Sequence, residues 1–153
     1  MLLRLRDLER QILHASPTMR VGAALQALRA QPNPSAWLLI YPRGRDFVVL
    51  SLSDLSARLD PHDAATLNRR LDDLAFPTSP SVPLDSEDAA ARVLLGQTGY
   101  VVVLREEEPC GVLYAPPAVL NHPASQPLLD LAANWQPPAA VLSESEPRTR
   151  DLG

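Results

Sequence analysis

The sequence repeats one pattern of segments, and this duplication constrains the fold more than any other feature. Two residue pairs recur 66 positions apart, Pro17 with Pro83 and Ala24 with Ala90. The apolar segments that follow recur at an offset of 63, because the second loop is shorter. Residues 37–40 match 100–103, and residues 48–55 match 111–118. We therefore expect a small protein made of one structural unit that is used twice.

Each unit is predicted to contain a strand stub, a helix, a strand, a hairpin, a second strand and a helix. The first helix has one apolar face, with the spacing i, i+3, i+4 and i+7 from Val21. Residues 37–41 form a continuous apolar run, which is typical of a buried strand. Residues 47–52 are rich in aromatic and β-branched residues, which favours a second strand. A further helix is predicted over residues 63–74.

Both ends of the chain lie outside the repeats. Leu5, Leu8 and Ile12 have helical spacing among charged residues, which predicts an N-terminal helix over residues 1–14. A helical turn or two is predicted over residues 128–133. The end of the chain is rich in proline and charge, so we expect it to be disordered. The predicted divisions are repeat 1 at 15–75, repeat 2 at 76–122, a C-terminal extension at 123–142 and a disordered tail at 143–153.

Two short segments of the first unit carry a resemblance to a known family. Residues 16–25 read Ser-Pro-Thr-Met-Arg-Val-Gly-Ala-Ala-Leu, where a proline and polar stretch leads into a helix with small apolar residues. Residues 48–55 read Val-Val-Leu-Ser-Leu-Ser-Asp-Leu, which is similar to the family's closing pattern Gly-Ile-Val-Thr-x-x-Asp-Leu. The second unit keeps Gly-Val-Leu at residues 111–113. Over residues 17–120 the chain resembles a tandem pair of CBS domains, the cystathionine-beta-synthase-type regulatory module.

The resemblance implies an α/β (α+β) fold of two β-α-β-β-α repeats packed through their sheets, here preceded by the N-terminal helix. Such packing would cover both faces of the strands at 37–41 and 100–104. The resemblance also implies a non-catalytic regulatory module that forms a homodimer and signals to a separate effector protein. It implies no cofactor, but a regulatory ligand of the adenosine type: AMP, ADP, ATP or S-adenosylmethionine.

The same resemblance implies a set of ligand-binding residues in the first repeat. Ser51 and Asp54 would hold the ribose hydroxyls, because a carboxylate accepts charge-assisted hydrogen bonds from both of them. The stretch around Thr18 and Met19 would contact the base through its backbone. Apart from the resemblance, a phosphate would need positive charge: Arg43 and Arg45 in a hairpin turn, or Arg20 at a helix start, could reach one, although solvated surface arginines are commoner.

Two alternatives stay open. Ser53 and Asp54 can simply cap the helix that follows them, a role that needs no ligand. In the second repeat, Tyr114 and Pro117 stand at the positions of Ser51 and Asp54, and proline offers no carboxylate. We therefore expect the second site to be lost. The alternative function is a degenerate pair that serves only as a protein-interaction or dimerisation platform, without a ligand.

Composition argues against several other classes of function. The net charge of −4 does not suit nucleic-acid binding, and a chain without lysine has no P-loop or Schiff-base lysine. No apolar run approaches about 18 residues and no signal peptide is evident, so we expect no membrane segment and a cytoplasmic location. His14, His62 and His122 lack metal-ligand spacing, and Cys110 has no neighbouring histidine. Neither a metal site nor a catalytic residue is predicted, and the protein is not expected to be an enzyme.

Overall fold

The two repeats form separate three-stranded sheets of identical topology, in a computed structural model that describes residues 1–114 and 124–137. The first sheet consists, in spatial order, of β1 (Ile12–His14), β2 (Leu38–Arg43) and β3 (Asp46–Ser51). The second consists of β4 (Ser81–Pro83), β5 (Tyr100–Arg105) and β6 (Glu108–Tyr114). In both sheets the first strand is parallel to the central strand and the third is antiparallel to it. The predicted order of strands is confirmed.

Four α-helices accompany the sheets: α1 (Val21–Arg29), α2 (Leu52–Arg58), α3 (Asp88–Thr98) and α4 (Ser125–Ala133). The predicted apolar face of α1 is buried, as its period requires. The turns expected at residues 128–133 belong to α4, which packs against α1 and α2. The predicted closing helix of repeat 2 at 115–120 lies outside the described residues, as do Pro117, His122 and the tail at 143–153.

The central strands are buried on both faces, which explains their unbroken apolar runs. One face of the first sheet, with Leu39 and Leu50, packs against α1, α2 and α4. The opposite face meets the second sheet in a shared cluster made of Leu38, Ile40, Val49, Val102 and Val112. The two repeats therefore pack through their sheets, as the resemblance implied.

The predicted N-terminal helix over residues 1–14 is wrong. The segment has a single 3-10 turn at Leu5–Asp7, followed by strand β1. Its backbone pairs with repeat 2 instead: Glu9 and Val112 exchange N–H···O bonds of 2.8 and 3.0 Å. Leu8 is buried there, in the core of repeat 2. Long-range pairing and burial thus override the local helical spacing, because propensity is a weak preference that tertiary contacts outweigh.

The connector between the repeats pairs with a strand of the other repeat, as the N-terminal segment does. Ser79, just before β4, exchanges backbone bonds of 2.6 and 3.2 Å with Phe47 of β3. The segment that precedes each repeat therefore pairs with the last strand of the other repeat. This reciprocal exchange ties the two units together in addition to their shared core.

The helix predicted over residues 63–74 is also wrong in part. Two 3-10 turns, Ala64–Asn68 and Leu71–Asp73, replace one α-helix. The backbone between them forms a bridge to the start of α1, in which Val21 N donates to Arg69 O at 2.8 Å and Leu71 N donates to Met19 O at 2.9 Å. These long-range bonds are incompatible with a continuous helix, since they use the backbone groups that a helix would need.

Candidate functional site

Ser51 and Asp54 meet where β3 passes into α2. The Ser51 hydroxyl accepts from the Asp54 backbone N–H at 3.0 Å, and the Asp54 Oδ2 accepts from the Ser51 N–H at 2.8 Å. This reciprocal pair is a capping box, which satisfies two backbone donors that the first helical turn leaves open. The capping alternative named Ser53 with Asp54; the cap is Ser51, because α2 begins at Leu52.

A residue of the other repeat also binds Asp54. The phenol of Tyr100, the first residue of β5, donates to Asp54 Oδ2 at 2.6 Å. Burial, followed by the hydrogen bond and charge of Asp54, raises the pKa of Tyr100 well above its ordinary value. This contact was not predicted from the sequence. The only sequence signal was that Tyr100 aligns with Trp37 at the start of a strand yet carries a polar hydroxyl.

Tyr100 lines two cavities. The larger, about 290 Å³, is bordered on one side by Asp54 and Arg58 and on the other by Thr98 and Gly99 at the end of α3. The smaller, about 40 Å³, is lined by Ser51, Ser53 and Tyr114 among others. Ser51 lines the smaller cavity and Asp54 the larger, and Tyr100 of the other repeat lines both, so the pair faces a cleft between the repeats.

Arg58 is the cationic group of the larger cavity. It lies four residues after Asp54 on α2, and its guanidinium stands 5.7 Å from the centre of the Phe76 ring. Residues at i and i+4 share one side of a helix, so the spacing of Asp54 and Arg58 is a sequence signal for this pair, which was not predicted. An exposed guanidinium beside a half-buried carboxylate gives the cleft one group of each sign.

Thr18 and Met19 lie on a different groove. This groove, about 450 Å³, is lined by both residues together with Arg20, Arg70 and Trp135. The Thr18 hydroxyl bonds to that of Ser16 at 2.9 Å. The structure therefore does not bring Thr18 and Met19 to the cavities that Ser51 and Asp54 line, because the bridge to residues 69–71 holds this stretch at the start of α1.

Arg43 is likewise placed away from the pair. It ends β2, and its Nη1 donates to the backbone carbonyl of Leu74 at 2.8 Å. Its guanidinium also acts on the neighbouring Tyr41, where it partly offsets the burial that raises the pKa of the phenol to about 12. Arg43 therefore fastens the segment after the 3-10 turns to the first sheet.

Alkaline pH is expected to destabilise the protein through Tyr41. In the unfolded chain this phenol ionises near its ordinary pKa of 10.0, whereas in the folded chain it does so at about 12. Its contribution to stability is complete below pH 10 and is lost as the pH rises towards 12. Urea unfolding between pH 8 and 12 should show the free energy of unfolding falling less steeply for Tyr41→Phe than for the unmodified chain. Equal slopes would contradict the assignment.

Two features are not found in the part of the chain that the structure describes. Within residues 1–114 and 124–137, no three His, Cys, Asp or Glu side chains form a group that could hold a metal ion. The helices seen in these same ranges are all too short or too polar to cross a membrane.

Comparison with known proteins gives matches at the level of structure. No protein-family model matches the sequence, and no curated protein matches it significantly. The cytosolic domain of the Mg²⁺ channel MgtE, in complex with ATP, is 19% identical with a TM-score of 0.50, over 69% of this chain and 42% of that one. A CBS domain-containing protein from Kribbella flavida DSM 17836 is 15% identical with a TM-score of 0.50, over 88% of this chain and 100% of that one.

The duplicated β-α-β-β units, packed sheet to sheet, define an α+β domain pair. More particularly, the chain has the fold of a CBS-type domain pair. It spans less than half the length of the MgtE domain that it matches.

Proposed function

We propose that this chain is a non-catalytic regulatory module, which binds an adenosine-type nucleotide beside Asp54 and signals to a partner protein in the cytoplasm. The observation that carries the proposal is the position of the Asp54 carboxylate in a cleft between the repeats, four residues before Arg58. A nucleotide bound there touches both repeats at once. Its occupancy can therefore change how the repeats sit against each other, and a homodimer or a separate effector can read that change.

The chemistry of the cleft suits a nucleotide. The Asp54 carboxylate is an acceptor for ribose hydroxyls, and the Arg58 guanidinium is a donor for a phosphate. The larger cavity of about 290 Å³ is close to the lower end of known ligand pockets, roughly 300 Å³. Support also comes from the MgtE cytosolic domain, which shares the fold and is in complex with ATP.

A second candidate function is a dimerisation platform without a ligand. The observation that favours it is that Asp54 Oδ2 already accepts from Ser51 N and from the Tyr100 phenol. A carboxylate satisfied in this way is stable without any ligand. Under this candidate, Asp54 serves only to hold α2 and the second repeat in place.

Ligand-induced stabilisation separates the two candidates. At 100 times its dissociation constant, a ligand of the folded state adds about 2.7 kcal/mol. In a chain of this size the expected rise in melting temperature is roughly 5–11 °C. We expect this shift with at least one of AMP, ADP, ATP and S-adenosylmethionine in a thermal unfolding assay.

The matched control is Asp54→Asn, which keeps the size of the side chain and removes its charge. Its ligand-induced rise should be much smaller. No rise with any of the four compounds in the unmodified chain would contradict ligand binding and favour the platform.

A further inference from the structure

Tyr100 holds the carboxylate that the proposed ligand would bind. Tyr100 lines both cavities, and its hydroxyl is 2.6 Å from Asp54 Oδ2. The side chain is half-buried, at the edge of the shared core between the sheets.

The two donors to Asp54 Oδ2 differ in how readily they can be replaced. The Ser51 N–H is a backbone donor of the capping box, so replacing it would cost α2 one of its two cap bonds. The Tyr100 hydroxyl is a side-chain O–H donor from another repeat. A ribose hydroxyl is a donor of the same kind, and it would form the same short O–H···O⁻ bond.

We propose that Tyr100 is an internal competitor for the nucleotide: its phenol holds Asp54 until a ribose hydroxyl replaces it. This inference rests on the proposed function and names how that site is regulated. When the phenol leaves Asp54, the carboxylate can accept from a ligand in the larger cavity, which it lines.

The displaced ring also links the site to the second repeat. Tyr100 is paired with Tyr114 across β5 and β6, and the two ring centres are 6.2 Å apart. Movement of the Tyr100 ring therefore changes the packing of the Tyr114 ring at the end of β6. Occupancy of a site in repeat 1 is transmitted in this way to repeat 2.

Isothermal titration calorimetry with ATP and with AMP tests the proposal on Tyr100→Phe. The variant keeps the ring and removes the competing hydroxyl, so the dissociation constant should fall roughly 10-fold. The matched control is Tyr41→Phe, which removes another phenol hydroxyl from the core of repeat 1 and should leave the constant within about twofold.

A second readout follows the ring itself. In a full-length chain labelled with ¹³C at the tyrosine Cζ atoms, saturating ATP should shift the Tyr100 signal and leave the Tyr41 signal in place. A structural role for Tyr100 alone would move neither signal.

The outcomes separate the two proposals. If the unmodified chain binds ATP or AMP but Tyr100→Phe binds no more tightly, or the Tyr100 signal does not move, competition is overturned and nucleotide binding stands. If neither protein binds either nucleotide, the proposed function fails and this inference fails with it.

Discussion

Replacing Gly111 with valine is expected to lower the free energy of unfolding by about 3 kcal/mol. A Cβ atom at this position would lie 2.7 Å from the Leu8 Cβ and 3.2 Å from the Glu9 backbone oxygen. Such distances force the N-terminal segment to move away from β6. The bonds between Glu9 and Val112 and the burial of Leu8 would be lost together, which is why the expected effect is large.

Gly96→Val is the matched control, because a Cβ at Gly96 meets nothing within 4 Å. Its effect should stay within about 0.5 kcal/mol. Guanidinium unfolding measures both variants. The double variant Leu8→Ala with Gly111→Val should lose less stability than the two single variants lose in sum. The reason is that Leu8→Ala already removes part of the side chain that Gly111→Val would displace. A Gly111→Val protein as stable as the unmodified chain would show that the segment does not dock on β6.

The repeated sheets and α1 could be predicted from the sequence because their signals are local. The run at residues 37–41 and its counterpart at 100–104 are apolar throughout, as strands covered on both faces must be. The N-terminal segment could not be predicted in this way. Leu5 and Leu8 have the spacing of a helix. The segment is nevertheless extended, because it pairs with β6, about a hundred residues further along the chain. Periodicity carries no information about a partner so distant.

In the candidate site, too, contacts that are local in the sequence were predicted and long-range contacts were not. The Ser51 and Asp54 pair was predicted from the resemblance of residues 48–55 to the family's closing pattern, and the contact between them is local, since they are three residues apart. Tyr100 was missed because its approach to Asp54 depends on how the two sheets pack. Arg43 was assigned to a phosphate, but its partner is the carbonyl of Leu74, in a region where the predicted helix is broken. Such a carbonyl becomes available only in the folded chain.

Asp54→Ala is expected to lower the free energy of unfolding by about 3 kcal/mol. The change removes one of the two bonds of the capping box, from Ser51 N–H to the carboxylate, a loss of about 1 kcal/mol. It also leaves the Tyr100 phenol without its acceptor in a half-buried cleft, which costs a further 1–3 kcal/mol or so. Chemical denaturation at neutral pH measures the loss.

Asp63→Ala is the control for the capping part of this effect. Asp63 caps the 3-10 turn Ala64–Asn68 by accepting from Ala65 N at 3.1 Å, and it is exposed. Its removal should cost no more than about 1 kcal/mol. The stability that Asp54→Ala loses beyond the loss in Asp63→Ala then measures the bond from Tyr100 to Asp54. In a chain that already carries Tyr100→Phe, this additional loss should vanish. If the two alanine variants lose equal stability, Asp54 is only a cap, and neither repeat is held by its carboxylate.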